Sequence, residues 1–369
     1  MKKLLLPLIS LLLIIFIWAV PHLLKSQKIP GLTGNDRVLL RIWTVNSPGS
    51  GQTWLKKQLH AFERANPGIS TYLRSVTAEE LVNPDAILPD VILYMPGDVL
   101  HPDELFLPLS GAMPARDGLM REELLRAGRW QNQQYGLPLC WGGWILAIDG
   151  AFEPSAACTP APTTLLGRPA ATSEEQAATE PPYPLEAVLE AASALQAPQG
   201  AALFTLPLLL EQLPPLPKDF ASLTSNEVYA AFQQRLCASA LLTTGQATAF
   251  SSLTAGGGGF SHRIITPKEI ITDQVYLASV TKGAEPTAAL LLSFLTSADA
   301  QQALFSQGLH TARNDLMLYP AGMPAKVEQA SHCSLAAINA FIPASEVHTA
   351  AWTYFQGSIT LDEALLPLM

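Results

Sequence analysis

Apolar residues run along this chain in short blocks separated by Pro, Gly and Asn, and the period inside the blocks alternates. VLLRIWTV (38–45) is apolar, β-branched and aromatic, the make-up of a buried strand. NSPGSG (46–51) breaks it. In QTWLKKQLHAFERA, Leu55, Leu59 and Phe62 recur at helical spacing with lysines on the other side. Asn66-Pro67-Gly68 ends that helix, because proline has no N–H to continue the ladder. ISTYLRSV and LPDVILYMP (88–96) predict two further strands. A strand, a helix and two more strands open a parallel α/β layer.

Beyond it the pattern predicts helix around Met120–Ala127 and one long extended segment over YGLPLCWGGWILAID (135–149). Residues 153–184, rich in Pro, Ala, Thr, Ser and Glu, read as a surface loop or a disordered insertion. A helix follows over Leu185–Leu195. Pro207, Pro214, Pro215 and Pro217 exclude a single regular helix between Leu206 and Lys218. LLTTGQATAF (241–250) reads as a strand ahead of the glycine run 256–259, and TDQVYLASV (272–280) as another. TAALLLSFLTSADAQQALFSQG (287–308) reads as two helices, with Ser297 as N-cap between them and Gly308 as the stop. Helices around 325–342 and 345–356 finish the chain, and no internal repeat is present.

The N-terminus changes the picture of location. Two lysines precede an uncharged run from Leu4 to Leu24. Twenty-one residues of helix span roughly 30 Å, one bilayer core. The flanking lysines belong on the cytoplasmic side, which puts the rest of the chain outside. The segment 1–25 is a signal peptide or a signal anchor. Its length and the absence of a small-residue cleavage motif favour the uncleaved anchor. Residues 26–36 form a linker.

Of the 369 residues, 49% are hydrophobic and only 14% charged. That supports large cores and, at this length, two of them. The net charge is −9 and no Lys/Arg-rich run occurs, which excludes nucleic acid as a partner. Cys140, Cys158, Cys237 and Cys333 form no C-x-x-C pair and no zinc-ligand spacing. Their pairing is open between disulfides and buried free thiols. No metal site and no cofactor is indicated.

Five stretches, in order, resemble the family-1 extracellular solute-binding proteins of ABC importers, the sugar-binding type. They are IWTVNSPGSGQTWLKKQLHAFERANPGI, LPDVILYM, NQQYGLPLCWGGWILAIDGAF, LLLSFLTSADAQQALFSQGLHTARNDL and FQGSITLDEAL. The resemblance implies an α/β, two-lobed fold of the type II periplasmic-binding-protein kind, with a central cleft and a hinge. Mapped onto this chain, it implies lobe I over 37–138 and 276–311, and lobe II over 139–275 and 312–369. The pattern also departs here: no lipid-anchoring cysteine follows the N-terminal run, and the middle of lobe II (153–220) is Pro/Ala-rich.

Binding a sugar requires flat apolar surfaces together with directional hydrogen-bonding groups. The candidates are Trp43, Asn46 and Ser47 at the end of the first strand and Tyr94 at the end of the third. Trp141 and Trp144 flank Gly142-Gly143 at the lobe crossing. Ser251, with Ser252, follows the GQATAF strand, and Arg313 lies where the chain returns to lobe II. The alternatives are core packing for Trp43, turn capping for Asn46 and Ser47, and a salt bridge for Arg313. The glycine run 256–259 matches no phosphate-binding motif and reads as a flexible loop.

No nucleophile elbow, no H-E-x-x-H and no P-loop lysine is present, and the seven histidines are dispersed, so no enzyme is expected. The expected function is reversible binding of a small polar ligand, a carbohydrate first, by a monomer on the outer face of the cytoplasmic membrane. Permease subunits of an ABC importer would be its partners. The alternative is a membrane-tethered sensor or structural module that kept the fold and lost import.

Overall fold

The computed structural model describes residues 38–45, 49–81, 88–109, 119–151, 195–198, 200–209, 223–284 and 286–369. The N-terminal run, Asn46 and Ser47, the 153–184 stretch, the helix read over 185–194 and Cys158 lie outside the described residues. Two main sheets carry the architecture.

The larger sheet has six strands. β1 (Val38–Val45) runs parallel to β2 (Ile69–Val76) and to β3 (Val91–Tyr94). The helix α1 (Gly49–Ala65) joins the first two, as its apolar spacing requires. Short helices α2 (Ala78–Leu81), α3 (Pro102–Leu105) and α4 (Glu122–Ala127) and the small hairpin β4 (Arg129–Trp130) and β5 (Gln133–Gln134) lead to β6 (Leu137–Trp141).

The second sheet has four strands. β7 (Trp144–Asp149) pairs antiparallel with β9 (Ser239–Thr243) and β10 (His262–Ile265), and β8 (Leu195–Gln196) runs parallel to β9. Between β8 and β9 come a 3-10 turn (Ala201–Phe204), α5 (Thr205–Leu209) and α6 (Ser225–Gln233). α7 (Thr244–Ala255) follows β9. β11 (Ile270–Thr272) then leads to β12 (Val275–Val280), which returns to the larger sheet antiparallel to both β3 and β6.

α8 (Thr287–Leu295), α9 (Ala298–Gln302) and β13 (His310–Thr311), antiparallel to β6, complete the larger sheet's side. α10 (Gly322–Cys333), β14 (Leu335–Ala337), α11 (Ala344–Phe355) and α12 (Leu361–Leu365) follow. β14 pairs parallel with β11.

Three apolar clusters explain why these elements stay together. On one face of the larger sheet, Leu40, Ile42, Val91 and Leu93 meet Leu55, Leu59 and Phe62 of α1 and Leu291, Leu292 and Leu295 of α8. Each such buried side chain contributes about 1.5–3 kcal/mol. Trp54 of α1 is also buried there and donates its indole N–H to the Ala300 carbonyl at 2.9 Å. On one face of the four-stranded sheet, Leu146, Ile148 and Leu241 pack on Leu203, Phe204, Val347, Ala351 and Leu365. A third cluster takes the remaining faces of both sheets, running from Trp43, Val45 and Tyr94 through Trp141 to Ile145, Leu242, Phe232 and Phe250.

Three sequence expectations are corrected. LLTTGQATAF is strand only to Thr243. α7 begins at Thr244, started by a capping box in which Thr243 Oγ1 accepts from Gln246 N at 3.2 Å and Gln246 returns a bond to Thr243 N at 3.0 Å. The extended segment 135–149 is two strands in two different sheets, broken at Gly142-Gly143. The helix over 325–342 stops at Cys333, because residues 335–337 are taken up by pairing with β11. Ser297 and Gly308 do act as expected: Ser297 Oγ accepts from Ala300 N, and Gly308 adopts a left-handed φ of 67°.

Candidate functional site

Three passages leave the larger sheet: β6 runs to β7 of the four-stranded sheet through Gly142-Gly143, β12 is reached through Asp273-Gln274 from β11, which with β14 forms a small two-stranded sheet, and the chain after β13 runs to α10 and β14. The first two are laced together. Gly142 N donates to Gln274 O at 2.8 Å, and Thr272 Oγ1 donates to Gly142 O at 2.6 Å. A side chain at Gly142 would meet Thr244 Oγ1 at a tight 3.0 Å, and one at Gly143 would touch Val327 at 3.4 Å.

The two tryptophans flanking these glycines point into different clusters. Trp144 is buried and donates its N–H to Asp273 Oδ1 at 2.8 Å, and the same carboxylate accepts from Ala201 N at 3.1 Å. Trp141 is buried, donates its N–H to the Thr311 carbonyl at 2.9 Å, and stacks on His310 with ring centroids 4.5 Å apart. The Arg121 guanidinium lies 5.7 Å from the Trp141 ring centroid and is bound by the hydroxyl and carbonyl of Ser331. Both tryptophans are therefore built into the joint between the sheets.

His310 is fully buried, and neither ring nitrogen has a hydrogen-bond partner among the described residues. Burial, and then the Arg121 charge, hold its pKa down to about 3, so the ring is neutral in the folded chain. Gln301 completes the third passage. Its amide donates to Leu139 O and Leu295 O, both at 2.9 Å, and its oxygen accepts from Thr311 Oγ1 at 2.7 Å.

The other sequence candidates sit as follows. Tyr94 is fully buried, its hydroxyl 2.8 Å from Ser279 Oγ and its ring stacked 5.5 Å from Phe106; burial raises its pKa. Ser251 is on α7 rather than after a strand, with its Oγ 3.0 Å from His262 Nε2 beside the Phe250 ring. Ser252 is on the same helix and donates to the Thr248 carbonyl. Arg313 is buried in a two-pronged pair with Asp315 at 2.8 and 2.7 Å and donates a third bond to Thr296 O at 2.9 Å. Cys140 and Cys237 are free and buried, with pKa values raised by burial to about 12 and about 11, and Cys333 is free and exposed.

Trp43, buried in the third cluster, lies near the carboxyl end of β1, the end at which open parallel sheets bind ligands. Parallel register sets it beside Arg74 of β2, whose guanidinium lies 5.4 Å from the Trp43 ring centroid. Arg74 is half exposed and paired with Glu80 at 2.6 Å. Next to it, Ser75 Oγ is 3.2 Å from Thr44 Oγ1 and accepts from Gln52 Nε2 at 3.1 Å. The aromatic–guanidinium pair is on one face of the sheet, and the hydroxyl–amide group is on the opposite, α1-covered face. Arg74 is not among the sequence candidates; only the register of β1 on β2 brings it to Trp43. The turn after β3 is tied to the segment between β14 and α11: Gly97 N donates to Ala340 O at 2.8 Å.

No group of His, Cys, Asp and Glu among the described residues has the arrangement of a metal site. No helix among them is long and apolar enough to cross a membrane. No family model and no curated protein matches the sequence.

Solved structures do match. A solute-binding protein of an ABC transporter from Thermotoga lettingae, bound with α-D-tagatose, superposes with a TM-score of 0.61 at 14% identity, covering 89% of this chain and 97% of that one. The GacH receptor of Streptomyces glaucescens, solved unliganded and with acarbose, gives 0.57 at 15% identity over 89% and 95%. An ABC substrate-binding protein of Listeria monocytogenes in complex with cycloalternan gives 0.55 at 13% identity over 90% and 97%. This chain therefore has the two-lobed α/β fold that those ABC substrate-binding proteins share.

Proposed function

We propose that the chain is an extracytoplasmic solute-binding protein that reversibly binds a small polar ligand, a carbohydrate foremost. It would deliver that ligand to the permease subunits of an ABC importer. The observation that carries the reading is a fold of two main sheets, joined directly through Gly142-Gly143, shared nearly end to end with proteins solved with sugars bound. In this reading the six-stranded sheet belongs to lobe I (37–138 and 276–311) and the four-stranded sheet to lobe II (139–275 and 312–369). The first of these boundaries, 138/139, falls inside β6 of the six-stranded sheet, a few residues before Gly142-Gly143.

Ligand would enter at the strand ends where Trp43 meets Arg74 and would be held by stacking and directional hydrogen bonds, with hinge closure over it. Asn46 and Ser47 come three and four residues after Trp43, just past the end of β1, and belong to the proposed binding loop. Trp141 and Trp144 contribute by fixing the joint. The chain is a monomeric binder, not an enzyme, and the run 4–24 tethers it to the membrane.

A second reading keeps the fold without import: a membrane-tethered sensor or structural module. The apolar N-terminal run without a cleavage motif favours it. Thermal-shift screening of the chain from Lys28 against sugars, polyols, peptides and anions tests the first reading. A ligand at 100 times its dissociation constant raises stability by about 2.7 kcal/mol. A shift with sugars supports solute binding, and no shift with any class favours the second reading.

A further inference from the structure

The charges of this chain are unevenly spread. Residues 1–75 hold ten Lys and Arg against two Asp and Glu, whereas 76–369 hold twelve against twenty-nine. Within the described residues that excess gathers on α1. Lys56, Lys57, His60 and Arg64 are all exposed there. At 3.6 residues per turn they occupy about a third of the helix circumference, opposite the buried Trp54, Leu55, Gln58, Leu59 and Phe62.

Lys56, Lys57 and Arg64 make no ion pair among the described residues. Glu63, the one acid beside them, turns to Thr71, accepting from its N–H at 2.6 Å and its hydroxyl at 2.8 Å, and also faces His60 at 3.7 Å. Most other arginines are neutralised: Arg41 by Asp90, Arg74 by Glu80, Arg121 by Glu123, Arg126 and Arg129 by Glu122, Arg235 by Asp149, and Arg313 by Asp315. The remaining described cations, Arg263, Lys268, Lys282 and Lys326, are scattered over β10, a loop, a turn and α10.

We propose that this face of α1 is a docking surface for an anionic membrane, laying the lobe that carries α1 against the bilayer. The proposal rests on the tethered location argued above. Continuity with the N-terminal run selects a membrane over an acidic protein. Residues 25–37 number thirteen and span at most about 45 Å, which keeps the start of β1, and with it the lobe that carries α1, within that reach of the bilayer surface. The asymmetry also sets orientation, because an anionic surface attracts α1 and repels the acidic remainder. Such attraction acts within about one Debye length and is screened by salt.

The test uses the full chain, floated with vesicles of phosphatidylcholine alone or with about one third phosphatidylglycerol, and a membrane-impermeant amine reagent read by mass spectrometry. The expected result is flotation with both. Lys56 and Lys57 should react about five-fold more slowly on the anionic vesicles, with Lys282 and Lys326 unchanged. High salt should restore their reactivity, and Arg64→Glu should weaken the protection. Equal reactivity of Lys56 and Lys57 on the two vesicles overturns the proposal, as does equal protection of Lys282 and Lys326. Failure to float with neutral vesicles removes the tether instead. Docking is then read from anionic vesicles alone: salt-reversible flotation weakened by Arg64→Glu supports it, and no flotation overturns it.

Discussion

The indole of Trp141 lies on the imidazole of His310, ring centroids 4.5 Å apart and planes 28° from parallel. One ring ends the last strand before the first passage between the sheets, and the other begins the strand before the third. Trp141 also donates to the Thr311 carbonyl. The stack therefore ties two of the three passages at one point.

Removing that ring should be costly. Trp141→Ala is expected to lower unfolding free energy by about 3–5 kcal/mol, the usual loss for a buried large aromatic. Trp141→Phe keeps the stack and loses the N–H bond, for about 1 kcal/mol. Urea denaturation checks both, and a larger loss for Phe than for Ala would contradict the described packing.

His310 predicts a pH dependence with a definite sign. Its folded pKa of about 3 lies below the ordinary 6.5, so the unfolded chain binds the proton more readily. The associated stability is complete above about pH 6.5 and falls as pH drops toward 3, at up to about 1.4 kcal/mol per pH unit. His310→Phe should flatten this slope and keep the stack. Denaturation midpoints from pH 7 to 4 for both proteins measure it, and identical slopes would contradict the buried neutral ring.

Asp273 fixes the second passage by accepting from Trp144 Nε1, Ala201 N and Gln274 Nε2. Asp273→Ala leaves these donors without that acceptor and should cost about 2–3 kcal/mol in chemical denaturation. Asp273→Asn retains part of the set and should cost less.

Gly308 combines a φ of 67° with a close approach to α7, where an added Cβ would lie 2.6 Å from Thr248 Cβ. Gly257 has a φ of 81° and nothing within 4 Å. Gly257→Ala should therefore cost only the backbone strain, about 1 kcal/mol, and Gly308→Ala clearly more. Equal thermal shifts for the two would mean that Gly308 does not pack on α7.

Strands such as VLLRIWTV were legible because a sheet face buried on both sides leaves an unbroken apolar run. α1 was legible because Leu55, Leu59 and Phe62 keep the helical period. α7 was not: Thr244, Thr248 and Gly245 disguise it, although Thr243 and Gln246 carried the capping-box spacing. β14 depends on pairing with β11 more than sixty residues earlier, which no local pattern reports. The same limit applies to the site. Trp43 stands out as a residue, but its partner Arg74 is visible only through parallel register. Tyr94 sits at a strand end like a ligand contact, yet its hydroxyl is engaged by Ser279 on β12.

The central claim is that a carbohydrate is held where Trp43 meets Arg74. Arg74 is half exposed and its pair with Glu80 adds little to stability, so Arg74→Ala should fold normally. Calorimetric titration of the sugar that most stabilises the wild-type chain, run in parallel on Arg74→Ala, is the direct measurement. The account predicts reversible binding, recovery of the sugar unchanged, and an affinity at least about tenfold weaker in the variant. Equal affinity in the two proteins, or no heat with any sugar, would contradict it.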